Sequence, residues 1–584
     1  VKKKSSILRL ARLMRPYWGL MLICGFTVLL VNGATLVKPL VLARVIDRFF
    51  VGGAEGRGFD SVWGLAVAYF GVILVSAAAS WVQSVSINRL GQNILHTLRM
   101  TIFNHIHHMP LNRLDKYNTG RLITRATNDV ETLNEFYTDV LINLFRDLFL
   151  LIGILGTMLV LDWRLALVGF SVLPLIILLT VTIRGRLRRN FVEMKALIGR
   201  INGFFAENIA GMKVVQAFNR QKEKMEEFDA LNDAYYHTTI IQVLMNSLLR
   251  PVMEVINSLA TALLIWFGYS RIVGGLLDIG VLYAFTTYIK QFYEPINDLA
   301  EKYTTISSAT VSADRIYELL DDDKQEDLNA GDHDVPMRGK VEFRDVWFAY
   351  NDEDWVLKGV SFTVEPGQKV AFVGATGAGK STIINLITRF YDIQKGEILV
   401  DDVPIQAWKL GILRRSIAVV LQDVFLFTGS IYDNIRISSP LSREQVEKAL
   451  ALSIADGFVS RLPGGLDAMV TERGSTFSSG ERQLLSFARA IAHDPAILVL
   501  DEATANIDTQ TEAMIQESIA SISQGRTSLF IAHRLSTIAQ SDRILVLRNG
   551  QIAERGNHEE LLQLGGYYAE LYQLQFEEKQ GGQK

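Results

Sequence analysis

Residues 370–387 read VAFVGATGAGKSTIINLI, and this stretch decides the fold of the C-terminal half. Val370–Val373 is written for a buried strand and Ile383–Ile387 for an apolar helix. Between them, Gly374-x4-Gly379-Lys380-Ser381 has the spacing of a phosphate-binding loop in its required strand–turn–helix setting. Glycines let backbone N–H groups close around phosphates, and the N-terminus of the following helix adds a favourable field. The candidate nucleotide contacts are therefore Gly374, Ala375, Thr376, Gly377, Ala378, Gly379, Lys380, Ser381 and Thr382. Lys380 is spaced to reach the β- and γ-phosphates, and Ser381 to present its hydroxyl to Mg²⁺.

Working outward, AILVLDEATANID follows about 120 residues later. Its apolar run predicts a buried strand that delivers Asp501 and Glu502 to its end. Asp501 is a candidate Mg²⁺ ligand and Glu502 a candidate to polarise the attacking water. A lone Asp-Glu pair after a strand is a weak signal; beside a phosphate loop it is a strong one. Short apolar runs such as KVAFVG, ILVL and SLFIAH alternate with helical patterns from about residue 339 to 575. The pattern predicts an α/β ATPase domain, with a polar tail over 576–584. An acidic, polar linker over 321–338 precedes it.

The first half is different. At 584 residues the chain is too long for one core, and 49% of it is hydrophobic, with a mean hydropathy of +0.20. Residues 1–320 hold six stretches near the roughly 20 apolar residues that a spanning helix needs. They cover about 16–45, 62–85, 137–161, 165–183, 240–269 and 275–292. Short links join the first to second, third to fourth and fifth to sixth, whereas the other two gaps are long, helical and basic. Arg113, Lys116, Arg121 and Arg125 in one and Arg184, Arg186, Arg188 and Arg189 in the other sit near span ends. That bias predicts that both long gaps, both termini and the C-terminal domain are cytoplasmic. Each long gap breaks at a turn, Asn118-Thr119-Gly120 in one and Gly211 in the other. The regions 112–130 and 207–218 are candidates for coupling to a motor domain; a solvated helical hairpin is the alternative. Charges within spans, such as Arg146-Asp147, Arg250, Glu254, Lys290 and Glu294, read as pairs between helices rather than as a substrate site. The basic, amphipathic start VKKKSSILRLARLMRPYW reads as a helix lying against the membrane. A net charge of −3 argues against a nucleic-acid partner, and the single Cys24 excludes an intrachain disulfide.

The stretch STFSSGERQLLSFARAIAHDP is similar to the LSGGQ signature of ATP-binding-cassette (ABC) transporters and its following helix. With it, nearly the whole chain resembles an ABC exporter, six spans fused to one motor domain. The resemblance implies a membrane all-α domain of six long helices, then an α/β P-loop ATPase domain with a helical signature subdomain. It implies ATP and Mg²⁺ as cofactors, with Ser381, Gln422 and Asp501 at the metal. Tyr350 matches the aromatic that stacks on adenine, and Gln422 the glutamine between subdomains. Asp508 matches the aspartate of the dimer-interface loop, and His533 the histidine switch that acts with Glu502 and Gln422 in hydrolysis. Taken singly, Tyr350 and His533 read as packed residues; their joint order gives the functional reading. Ser478, Ser479, Gly480 and Glu481 would face the ATP of a second half-transporter. Ser479 and Glu481 depart from the family's glycine and glutamine, which favours an unequal heterodimer over a homodimer. The expected protein sits among membrane lipids, in the cell membrane of a prokaryote. It exports a hydrophobic or amphiphilic substrate, drug-like ahead of lipid or peptide. A nucleotide-gated channel is the remote alternative, disfavoured by the intact Glu502 and His533.

Overall fold

The computed structural model describes residues 6–51, 61–322, 324–351, 354–437, 439–502, 509–532 and 535–581. The chain forms two compact units. The first combines Val1–His105 with Asn118–Asp323, and the second combines Ile106–Tyr117 with Lys324–Lys584.

The first unit is helical throughout. Its long helices cover Trp18–Val45, Val62–His107, Ile142–Leu161, Leu173–Ala210, Gln221–Val273 and Ile279–Leu320. Among the described residues, four helical segments are long and apolar enough to cross a membrane: Arg15–Val51, Val62–His107, Thr119–Leu161 and Gln221–Val273. The stretch expected as the fourth span is divided: Trp163–Phe170 and Leu173–Ala210 are separate helices. Several helices run well beyond the expected span ends, since polar sequence continues the same helical backbone past the apolar window. Large apolar side chains such as Trp63, Phe70, Trp81 and Trp266 are exposed on this unit, the arrangement expected when lipid is the solvent. Its core joins Ile154 and Met158 to Leu165, Ala260, Leu264, Phe285 and Tyr288 from neighbouring helices.

Among the described residues, several charges inside the unit are paired. Asp147 is buried and bonds Lys302 from the helix Ile279–Leu320, and Arg146 reaches it at 3.2 Å. Arg271 pairs with Asp162 at 2.8 Å. The side chains of Arg184, Arg188, Arg250 and Glu294 lie outside the described residues. The N-terminal helix, Ser6–Leu13, docks on protein. Arg9 donates twice to Asp321 at 2.8 Å and stacks on Tyr317, Leu10 is buried, and the Tyr137 hydroxyl donates to the Leu10 carbonyl. An amphipathic helix can turn its apolar face to lipid or to protein, and here the helix packs against the end of the helix Ile279–Leu320 with Leu10 buried.

The second unit is the α/β domain. Its strands are β1 (Val341–Ala349), β2 (Trp355–Val364), β3 (Lys369–Val373), β4 (Lys395–Val400), β5 (Val403–Pro404), β6 (Ile417–Val420), β7 (Gly429–Ser430), β8 (Met469–Val470), β9 (Ile497–Glu502), β10 (Thr527–Ala532), β11 (Arg543–Arg548) and β12 (Gln551–Gly556). An antiparallel sheet runs β2-β1-β4-β5, and the main sheet runs β12-β11-β3-β10-β9-β6. Strands β11, β3, β10, β9 and β6 are parallel neighbours, and β12 closes one edge antiparallel. Val370–Val373 and Ile497–Leu500 are buried, as continuous apolar strands covered on both faces must be. Segment Ile106–Tyr117 belongs to this unit. The Glu326 N–H donates to the His108 carbonyl at 2.7 Å, and the Tyr391 hydroxyl bonds Asp115. Burial and that carboxylate hold the Tyr391 phenol well above its ordinary pKa.

Candidate nucleotide and signature sites

Strand order assembles the nucleotide site. Strand β10 lies between β3 and β9, and all three are parallel. The loop after β3, the end of β9 and the end of β10 therefore meet at one carboxyl edge of the sheet, where ligands bind in such folds. The loop turns into the helix Lys380–Ile387 through Gly379, whose φ of +102° is left-handed. A Cβ there would also meet Leu357 at 2.6 Å, so glycine serves both backbone and packing. A Cβ at Gly374 would meet the Leu547 carbonyl at 2.3 Å.

Lys380 is buried, and its ammonium donates to the carbonyls of Gly374 at 2.6 Å and Ala375 at 3.0 Å. The lysine is folded onto its own loop, a contact that a bound phosphate would replace with a charge-assisted one. Burial lowers its pKa and the nearby Asp501 opposes that shift. A cleft of about 540 Å³ gathers Tyr350, Thr376, Gly377, Gly379, Lys380, Ser381, Thr382, Gln422 and Asp501. Sequence reasoning missed two of its walls, Val356 and Ile531, which carry no motif. Gly374, Ala375 and Ala378 contribute loop backbone; they do not line the cleft.

Tyr350 stands at the cleft edge with 41% of its surface exposed. Its hydroxyl sits 3.2 Å from the Thr382 hydroxyl and accepts from Asn385 at 3.1 Å. Its ring meets Phe348 and Tyr391 edge-on, at 4.8 and 5.1 Å. The ring is thus braced on the helix that follows the phosphate loop, with part of its surface open for a flat ligand. Ser381, Gln422 and Asp501 supply only oxygen ligands and share one cleft, which fits a hard divalent cation. Glu502 ends β9, and its side chain lies outside the described residues, as do Asp508 and His533 entirely.

Ser478 is elsewhere in the unit, as N-cap of the helix Ser479–Ile491. Its hydroxyl accepts from the Glu481 N–H at 3.2 Å, and the Glu481 carboxylate accepts from the Ser478 N–H at 2.8 Å. This reciprocal capping box is legible as Ser-x-x-Glu, a signal the sequence reading did not use. It supplies the hydrogen bond that a carboxylate at this position needs. Ser479 is exposed in the first turn, and Gly480 is buried. A Cβ at Gly480 would lie 2.0 Å from the Thr511 methyl. Gly480→Ala is therefore expected to lower stability by about 1–3 kcal/mol through overpacking. Thermal unfolding of the variant checks this: Thr511→Ser, which deletes the methyl, should restore the loss, and a Gly480→Ala protein as stable as the parent would contradict it.

Residues 21–296 match the family model described as ABC transporter transmembrane region, and residues 357–505 match the one described as ABC transporter. The chain is 41% identical over 515 residues to a Bacillus subtilis (strain 168) protein named "Probable multidrug resistance ABC transporter ATP-binding/permease protein YheH". That alignment covers 88% of this chain and 76% of the relative. It is 33% identical over 584 residues to an "ATP-dependent lipid A-core flippase" of Syntrophus aciditrophicus (strain SB), covering 99% and 96%. Among solved structures, a bacterial Atm1-family ABC exporter with ATP bound aligns at a TM-score of 0.77 with 29% identity, covering 97% of this chain and 99% of that one.

Proposed function

The chain belongs to the ABC transporter family, its transmembrane region and ATP-binding domain joined in one polypeptide, and on that premise we propose that it exports a hydrophobic or amphiphilic compound, drug-like first, from the cytoplasm or inner leaflet. It is an ABC exporter and an ATPase, an integral membrane protein whose fold implies a dimer in lipid. The observation that carries the reading is the single cleft holding Tyr350, the phosphate loop, Gln422 and Asp501, in a chain with membrane-length apolar helices.

In the cycle we propose, ATP enters that cleft, its adenine against Tyr350 and its phosphates on the loop amides and Lys380. Ser381, Gln422 and Asp501 would hold Mg²⁺, which offsets phosphate charge. The signature of a second half-transporter closes over the γ-phosphate, while Ser478 and Gly480 of this chain would close over the partner's. Glu502 accepts a proton from the attacking water, with His533 acting beside it as the histidine switch and Asp508 in the loop facing the partner. ATP binds the closed pair better than the open one, and that difference drives the membrane regions outward. Loss of the γ-phosphate removes the bridge and resets them. Both termini and the motor domain face the cytoplasm of a prokaryotic cell. The lipid flippase among the relatives supports a second reading, a lipid substrate. Inverted vesicles carrying this chain, offered a dye-like cation or a labelled lipid, separate the two by which one accumulates.

The turns at 112–130 and 207–218 would transmit the motion. Asn118 caps the helix Thr119–Thr124 by accepting from the Gly120 N–H at 2.8 Å, and Gly211 ends the helix Leu173–Ala210. Met212, Val214 and Phe218 are exposed apolar side chains on the second turn. Substituting Asp for Met212, Val214 and Phe218, together with Pro at Gly120, is expected to abolish transport while ATPase activity persists. Transport that survives both changes would count against these turns as the coupling elements.

A further inference from the structure

Arg489 lies near the end of the helix Ser479–Ile491, three turns from Ser478. Its guanidinium makes three hydrogen bonds that leave the helix. Nη1 donates to the Phe425 carbonyl at 2.9 Å, Nε to the Asn434 carbonyl at 2.8 Å, and Nη2 to Asn434 Oδ1 at 3.2 Å. All three acceptors are neutral, and no carboxylate pairs with Arg489 among the described residues. Burial lowers its pKa. Arg489 is half-buried, and a partly desolvated cation without a counter-charge carries a cost that an apolar residue of similar size would not. What only the guanidinium supplies is geometry, a planar fork that fixes several acceptors at once.

The acceptors show what is fixed. Phe425 follows Gln422 by three residues, and Gln422 lines the nucleotide cleft. Asn434 is 2% exposed; it accepts from the Phe427 N–H at 2.8 Å and donates to the Phe427 carbonyl at 2.8 Å and to the Ser430 carbonyl at 3.1 Å. The segment 425–430 is thus held at both ends, by Arg489 at Phe425 and by Asn434 at Phe427 and Ser430. One side chain thereby ties the loop that starts in this chain's own nucleotide cleft to the helix that starts at its signature.

We propose that Arg489 is a positioning residue that transmits movement of the Gln422 loop to Ser478 and Gly480, so that occupancy of a chain's own cleft sets the signature it offers to its partner. This rests on the roles assigned above to Gln422 and Ser478. A loop drawn toward the nucleotide through Gln422 pulls the Phe425 carbonyl, and the fork passes that displacement along a rigid helix. The two ATP sites of the dimer then report to each other through each protomer. Lysine keeps the charge but cannot span the Phe425 and Asn434 carbonyls together.

The test is steady-state ATPase kinetics of the purified dimer, with thermal unfolding in parallel. Arg489→Lys is expected to lower kcat by about ten- to a hundredfold, because small misplacement of a catalytic contact is expensive. The KM for ATP should stay within about twofold, the pattern of an interaction made only on the way to the transition state. The Hill coefficient for ATP should fall toward one, and guanidinium ion should restore part of the kcat of Arg489→Ala. An Arg489→Lys dimer with parental kcat and Hill coefficient overturns the proposal. So does a kcat that falls only in step with the folded fraction, which marks a purely structural role. Gln422→Ala and Ser478→Ala are the controls: normal ATPase in both would overturn the assigned site itself, whereas a loss in both with none in Arg489→Lys overturns the link alone. Should the variants not fold, hydrogen exchange on the unaltered dimer decides. Amides of 423–427 and 478–484 should gain protection over the same range of ATP concentration, and separate transitions would overturn the proposal.

Discussion

Glu502→Gln is expected to cut ATP turnover by about 10²–10⁴-fold, the range that a positioned general base contributes. ATP binding should remain, because the loop amides, Lys380, Tyr350 and Asp501 are untouched. The reasoning is chemical: glutamine matches the shape of glutamate but cannot accept the proton that leaves the attacking water. Place in the sheet supports the assignment. Glu502 is the last residue of β9, directly after Asp501, at the edge where the phosphate loop also opens. The closed dimer should accumulate, since ATP then holds it together without being consumed. The measurement is phosphate release by the purified dimer beside nucleotide binding, with any partner chain's own site disabled. Near-parental phosphate release would remove Glu502 from its role.

Purified alone, the chain is expected to hydrolyse ATP at no more than about a tenth of the rate it reaches with an unequal partner half-transporter, a difference of about 1.4 kcal/mol in activation free energy. The argument begins at the signature. Glu481 places a full negative charge on the first turn of the helix whose amides and dipole should receive a γ-phosphate. Its hydrogen bond to Ser478 satisfies the carboxylate and makes it an internal competitor for that anion site. In a homodimer both ATP sites would meet this competition. In a heterodimer only one would, and the partner's signature would complete the site built on Glu502. Glu481→Gln keeps the capping geometry and removes the charge. It should raise the activity of the chain alone by up to about thirtyfold, the ceiling set by roughly 2 kcal/mol for a charge at a partly buried helix terminus. Full activity of the unmodified homodimer, unchanged by Glu481→Gln, would defeat the heterodimer reading.

Much of the candidate nucleotide site was legible because its signals are local. Gly374 to Ser381 is one strand, one turn and one helix, and the turn needs glycine where the backbone is left-handed. Asp501 was legible because an apolar run must end at a sheet edge. The walls Val356 and Ile531 were not, since any apolar residue would serve there. The order of β3, β10 and β9 was not legible either, because strand adjacency is a tertiary fact. Arg489 read as one more helical residue until its acceptors, 55 and 64 residues away, were in place. Segment Ile106–Tyr117 was counted with the membrane half because it lies in the long basic gap between two expected spans. Its partners, Glu326 and Tyr391, lie more than 200 residues further along. The N-terminal helix was read as amphipathic, correctly, but amphipathicity does not say whether lipid or protein will cover the apolar face.

The central claim is that ATP hydrolysis in the Tyr350–Asp501 cleft powers export through the membrane region. The most direct test is accumulation of a fluorescent amphiphile inside inverted membrane vesicles that contain the active dimer. Uptake should require ATP, cease with a non-hydrolysable analogue, and be lost in Glu502→Gln and Lys380→Ala. Uptake that proceeds equally without ATP, or that survives both substitutions, would contradict the account.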